Sequence, residues 1–231
     1  MTISEHTAVG ALAAAVPHSV GVFQRHGLDF CCGGDKSLAA VCDEAGLSFT
    51  AIAHEIEAEA ETSGLDTRDW MNEPLARVMD HIVATYHDAL RAGLPQLQDL
   101  ADKVVRVHGA KTPVFARVRD IVGELSTDLV AHMMKEEIVL FPAIRRAAAG
   151  QPAGVPLAVP ISVLEAEHDA AGALLRDLRT ITDGFVAPAW GCATLRALYA
   201  QLERLEQDMH VHVHLENNVL FPRATGRVSA S

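Results

Sequence analysis

The stretch His132-Met133-Met134-Lys135-Glu136-Glu137-Ile138-Val139-Leu140-Phe141-Pro142 returns 80 residues later as His212-Val213-His214-Leu215-Glu216-Asn217-Asn218-Val219-Leu220-Phe221-Pro222. Both copies read H-x-x-x-E-x-x-V-L-F-P. A shorter phrase recurs in step: His87-Asp88-Ala89 reappears as His168-Asp169-Ala170, 81 residues on. Each half of the repeat thus holds His-Asp-Ala and then, about one helical hairpin later, His-x-x-x-Glu. The chain reads as a duplicated helical hairpin.

The spacing has a chemical consequence. On an α-helix, residues i and i+4 are about 40° apart around the axis and ~6 Å apart along it, so their side chains share a face. His132 and Glu136 can reach one metal pair from one helix, and His212 and Glu216 from another. His87 and His168 complete a set of four imidazoles and two carboxylates from four helices. Imidazole suits iron, and a carboxylate can bridge two metals while offsetting part of their charge. A two-iron centre between the copies is the expectation, with a coordination position left for an oxo bridge, a small ligand or labile exchange. Val-Leu-Phe after each Glu reads as core. Phe-Pro is expected to kink or end each helix, because proline lacks the N–H and clashes one turn back.

Working outward, the first long helix begins near Asn72, with Pro74 in its first turn. Its apolar series runs Val78, Ile82, Tyr86, Leu90, Leu94, Leu97, Leu100, Val104, at a period of 3.6. Pro95 should kink it and Gly109 should stop it. Thr112-Pro113 starts the second helix, which carries His132 and Glu136 to about Ala149. Residues 150–160, with Gly150, Pro152, Gly154, Pro156 and Pro160, form a linker. The third helix covers about 161–182 and the fourth about 190–220. No segment alternates over a strand length. The fold class is therefore all-α: an up-down-up-down four-helix bundle over 72–225 and a small helical N-terminal domain over 1–64. In that module Thr7 is read as the first cap, Gly27 as the second helix's stop, Ser37 as a third cap with a stop at Gly46, Ser48 or Thr50 as the last start and Ser63-Gly64 as its end. So lean a module has a marginal core, which is compatible with a homodimer.

The 231 residues carry a formal net charge of −11, which argues against nucleic-acid binding and against adhesion to an anionic membrane. No apolar run approaches the ~20 residues of a membrane-spanning helix. No Lys or Arg precedes Arg25, so the start does not read as a secretory signal. A cytoplasmic setting follows, in which Cys31, Cys32, Cys42 and Cys192 are thiols. Adjacent Cys31 and Cys32 sit about 3.8 Å apart at Cα, so a bridge between them would be strained.

Several other residues carry chemistry. Cys31-Cys32-Gly33-Gly34 precedes a helix start, where backbone N–H groups can face an anion and lower a thiol pKa. Reactive thiolates are one reading; small half-buried residues filling a turn are the other. Cys42 and Cys192 read as buried structural residues. His210 and His214 lie about 160° to either side of His212 on a helix and should point away from its metal. His108 ends the first helix and is a candidate for lining a channel. Glu137, Glu165, Glu167, Asp88 and Asp169 are candidates for orienting ligand imidazoles.

These residues resemble a known family. Asp29-Phe30-Cys31-Cys32-Gly33-Gly34 followed by Ser37-Leu38-Ala39 is similar to the ScdA-type N-terminal domain. The two H-x-x-x-E phrases with Leu-Phe-Pro, and Glu167-His168-Asp169, resemble the hemerythrin-like domain of the same family, the RIC proteins (repair of iron centres; YtfE/ScdA/DnrN/NorA type). The resemblance spans nearly the whole chain. It implies a cytoplasmic, non-haem di-iron protein of the nitrosative and oxidative stress response that restores damaged iron–sulfur clusters by supplying iron. It makes damaged iron–sulfur proteins or their assembly machinery the partners and nitric oxide a small ligand. It places terminal ligands on His87, His132, His168 and His212, bridging carboxylates on Glu136 and Glu216, and the family's cysteine pair on Cys31 and Cys32. A repair factor rather than a turnover enzyme is implied. The alternative is a hemerythrin-like carrier or scavenger of nitric oxide or oxygen. A di-iron oxidase fits less well, since those bundles use Glu-x-x-His motifs and more carboxylates.

Overall fold

The computed structural model describes residues 3–59 and 68–227. Among them all regular structure is helical, apart from one isolated antiparallel bridge between Ala8 and Ser37. Two compact units are formed. One holds the chain through Met79 together with everything from His210 onward, and the other holds Asp80–Met209.

The N-terminal module contributes α1 (Val9–Ala15), α2 (Ser19–His26), α3 (Leu38–Glu44) and α4 (Phe49–Glu59). Gly27, at φ 64°, closes α2 in the left-handed region, and the Leu28 N–H returns to the Phe23 carbonyl at 2.9 Å. Ser37 Oγ accepts the Ala40 N–H at the start of α3. Thr7 does not cap α1. The first amides of that helix are satisfied across the module instead: Val9 N–H donates to Lys36 O at 2.8 Å and Gly10 N–H to Gly34 O at 2.9 Å. The core is small and closed, built on Leu12, Val22, Phe23, Phe30, Leu38, Ile52 and Ile56. The expected end at Ser63-Gly64 lies outside the described residues.

Four long helical runs follow. The first is α5 (Leu75–Ile82), a π-helical turn over Val83–His87 and α6 (Asp88–His108), which continues through Pro95. The second is α7 (Val114–Lys135), a π-turn over Glu136–Leu140 and α8 (Phe141–Ala148). The third is α9 (Ala158–Ile181). The fourth is α10 (Ala193–His214), a π-turn over Leu215–Leu220 and α11 (Phe221–Ala224).

The repeated Phe-Pro therefore neither ends nor breaks its helix; it widens the turn before it. Proline at 142 or 222 cannot donate, and its ring would meet the carbonyl four residues back. The ladder slips by one, so that Phe141 N–H bonds Glu136 O and Phe221 N–H bonds Glu216 O. The π-turn over Val83–His87 precedes no such proline, and its effect shows in the burial pattern. The buried positions run 78, 79, 82, 87, 90, 94, 97, 101, 104. The step of five carries His87 inward and leaves Tyr86 half-exposed, where an unbroken period would have buried the tyrosine. π-turns of this kind concentrate at functional sites.

Within the larger unit α6 packs on α7 and α7 on α9. Arg179 of α9 holds Glu206 of α10 through Nε, 2.9 Å from each carboxylate oxygen. Within the other unit α1 packs on the π-turn Leu215–Leu220, and the Arg223 guanidinium donates to the carbonyls of Trp70 and Glu73 at 2.7 and 2.6 Å. The end of the chain thus belongs with its beginning.

Candidate metal centre

In the larger unit His87, His132, Glu136 and His168 are all buried. Each comes from a different local setting. His87 closes a π-turn, His132 lies in the last turn of α7, Glu136 opens the next π-turn and His168 sits mid-α9. His87 Nε2 is 3.3 Å from Glu136 Oε2, and His132 Nε2 is 3.5 Å from the same oxygen. His132 and His168 face each other Nε2 to Nε2 at 3.0 Å. His132, Glu136 and His168 each offer a ligand atom within 4.8 Å of the others.

The outer nitrogens of two rings are tied down. Glu137 Oε1 lies 2.6 Å from His87 Nδ1 and is also held by Arg91. Glu167 Oε2 lies 2.9 Å from His132 Nδ1, with Lys135 on its other oxygen. Burial opposes ionisation of both carboxyls. The hydrogen bonds outweigh it, from His87 and Arg91 on Glu137 and from Lys135 and His132 on Glu167, and hold both below the ordinary range. An ionised carboxylate only accepts, so each of these rings carries a proton on Nδ1 and turns its Nε2 inward. Two of the five carboxylates proposed as orienters do this work; Asp88 pairs with Arg91 instead. A cleft of about 230 Å³, lined in part by Leu129, Ala131, Ala171, Lys135 and Glu167, opens onto His132 and His168.

In the other unit His212 and Glu216 repeat the pairing. Both are buried, with Nε2 to Oε1 at 2.9 Å. Neutral imidazole nitrogens beside a buried carboxylate are a donor set that fits a transition-metal cation. The residues of both copies fit that role.

The thiol loop lies in this second unit. Asp29 Oδ1 accepts the backbone N–H groups of Cys31, Cys32 and Gly33 at 3.2, 3.0 and 3.1 Å, and the Cys31 thiol donates to it at 3.5 Å. The anion those N–H groups face is therefore the chain's own carboxylate. Burial opposes its ionisation, but the backbone bonds keep Asp29 below its ordinary range. The expected acidification of the thiols is reversed at Cys31. Its bond to Cys32, its burial and the nearby Asp29 push it well above the usual thiol range. Cys31 is buried and Cys32 half-exposed.

His214 turns away from His212, as the helix phase requires, and packs on Phe30 at 5.5 Å between ring centroids. Burial pulls it down to about 4, so the ring is neutral at pH 7. His210 meets Phe30 edge-on at 6.1 Å.

Sequence reasoning missed one pair. Cys42 is buried as expected, but Cys192 is half-exposed. His108 Nε2 lies 3.2 Å from its Sγ, and the ring stacks at an angle on Trp190. The His108 bond, aided by the N–H groups of Leu195 and Thr194, draws the Cys192 thiol down to about 7. Gly191-Cys192 directly before the start of α10 was the available signal, since a helix N-terminus favours a thiolate.

Residues 78–224 match the family model described as the hemerythrin HHE cation binding domain, and residues 5–60 match ScdA_N, a domain of unknown function (DUF542). The chain belongs to the hemerythrin HHE family, a helical-bundle class whose buried His and Glu groups can bind a metal. It is 40% identical over 219 residues to the iron-sulfur cluster repair protein YtfE of Yersinia pseudotuberculosis serotype IB (strain PB1/+), covering 94% of this chain and 95% of that one. It is 42% identical over 216 residues to the protein of that name from Cronobacter sakazakii (strain ATCC BAA-894), with the same coverage. Among the described residues no helix is long and apolar enough to cross a membrane.

Proposed function

We propose that this protein repairs damaged iron–sulfur clusters and that it does so as a di-iron protein. His87, His132, His168 and His212 serve as terminal ligands and Glu136 and Glu216 as bridging carboxylates. The carrying observation is the doubled H-x-x-x-E phrase, buried in both copies and placed at a π-turn each time. Near-full-length similarity to proteins named for cluster repair supports the same reading. A di-iron centre held by these residues would supply redox chemistry and iron for a damaged cluster.

The residues themselves do three things. Glu137 and Glu167 fix two imidazole tautomers. Arg91 and Lys135 keep those carboxylates ionised. The α7–α9 cleft admits small solutes to His132 and His168. The 1–64 module contributes the thiols of Cys31 and Cys32 to the transfer, and the 72–225 helices contribute the ligands. Damaged iron–sulfur proteins are the partners.

Metal analysis with Mössbauer spectra, combined with reactivation of an oxidatively damaged [4Fe–4S] dehydratase, tests this. The wild type should carry two irons and restore activity, and H132A/E136A should do neither. Full iron in that variant would overturn the ligand assignment. C31S/C32S should keep iron and lose repair; unchanged repair would remove the thiols. Rapid nitrosylation without any repair would indicate scavenging instead.

A further inference from the structure

The two copies of the repeated phrase differ immediately after the shared glutamate. The first copy reads Glu137-Ile138 and the second Asn217-Asn218. Both asparagines point at the thiol loop. Asn217 Nδ2 donates to the Cys31 carbonyl at 3.3 Å. Asn218 Nδ2 lies 3.2 Å from the Phe30 carbonyl, 3.3 Å from the Cys31 carbonyl and 3.2 Å from His214 Nδ1. The two amide hydrogens are thus engaged by the Phe30 and Cys31 carbonyls.

The Asn218 side chain also packs where two glycines leave it room. A Cβ on Gly10 would come within 2.3 Å of Asn218 Oδ1, and a Cβ on Gly34 within 2.5 Å. The Gly10 N–H to Gly34 carbonyl bond closes the slot. Hence Gly34, which the sequence offers as part of a cysteine motif, is small for the sake of an amide 184 positions away. The turn that carries the asparagines is Leu215–Leu220, and it also carries Glu216. Glu216 and the two amides are consecutive residues of one widened turn, so any backbone shift at Glu216 is passed to the groups that hold Cys31.

We propose that Asn217 and Asn218 form a latch clamping the Phe30–Gly34 loop onto the Glu216 turn, so that metal held by Glu216 sets the exposure of the Cys31–Cys32 thiols. This rests on Glu216 being a metal ligand, as proposed above. Linkage requires the reverse coupling as well: a freed loop alters iron affinity by the factor through which iron alters the loop.

The test is alkylation by iodoacetamide of the full-length protein, read separately at each cysteine by peptide mass spectrometry. It is run on iron-free protein and on protein reloaded anaerobically with Fe(II). In iron-free protein N218A should alkylate at Cys31 and Cys32 roughly tenfold faster than wild type, since it loses hydrogen bonds to the loop. Equal rates would overturn the latch whether or not iron binds. In wild type, Fe(II) loading should change the rate at least about threefold, and in N218A, loaded to the same iron content, it should change nothing. Full iron uptake without any change in wild-type rate would overturn the coupling. The same iron-dependent protection in N218A would overturn it too, and would show that the thiols bind iron directly. Failure of wild type to take up iron would sink the ligand assignment instead, leaving the iron-free comparison to judge the latch. N217A, which removes a single bond to Cys31, should show a smaller change in the same direction and serves if N218A misfolds.

Discussion

The two copies of H-x-x-x-E-x-x-V-L-F-P share a helix, a π-turn and a buried His–Glu pair, yet their surroundings have diverged. In the first copy Ile138 is 66% and Val139 44% exposed, whereas in the second Val219 is 1% exposed and Asn218 half-buried. On the second copy the N-terminal module packs within the same unit. Position 134 in the first copy is an exposed Met, and its counterpart 214 is a buried His packed on Phe30. Position 137 braces the His87 imidazole, and its counterpart 217 holds the thiol loop. Duplication supplied two buried His–Glu pairs. The residues between the ligands were then free to specialise, one half for bracing and the other for docking.

The largest expected effect tests the equality. H132A/E136A and H212A/E216A should each abolish iron binding in metal analysis. Full iron in either variant would mean that the copies are not both ligating. Next comes the buried histidine. His214 has a folded pKa of about 4 against about 6.5 in the unfolded chain. Between those values the unfolded state binds more protons, so stability is full above about pH 6.5 and falls as pH drops toward 4, by about 3 kcal/mol. Urea titrations across that window should show a shallower slope in H214N than in wild type, and no change of slope in M134L. Identical slopes for H214N and wild type would break the contrast.

Bracing is tested by E137Q, which should weaken Fe(II) affinity about 10–100-fold in competition with a chelator. N217A, at the matching position, should stay within about threefold. Reversed results would exchange the roles of the two copies. The smallest effect concerns packing. V219A should cost about 2 kcal/mol in chemical denaturation, and V139A less than about 0.5 kcal/mol.

Periodicity and repetition made the helices and the buried His and Glu residues legible. The departures came where a turn changed width. An unbroken 3.6-residue period places Tyr86 in the core, but the π-turn over Val83–His87 substitutes His87. No single-sequence pattern marks that extra residue, because its cause is the inward placement of a side chain with a partner in Glu137, fifty positions away. Phe-Pro was recognisable as a disturbance, but whether it stops, kinks or widens a helix depends on what the next turn packs against. The thiol loop left two readings open for a similar reason. Its N–H groups were visible as an anion cradle, but the anion proved to be Asp29, two residues before Cys31.

By itself the sequence determined the all-α class, the duplicated hairpin and the His–Glu spacing, because those depend on local periodicity that any stretch of helix must obey. Only the tertiary structure decided that Glu137 and Glu167 orient the imidazoles, that Cys31 stays a protonated thiol, and that Asn218 lies in a slot between Gly10 and Gly34. Those are contacts between residues far apart in the chain. Their energies arise from burial and from hydrogen bonds that exist only once the helices have packed.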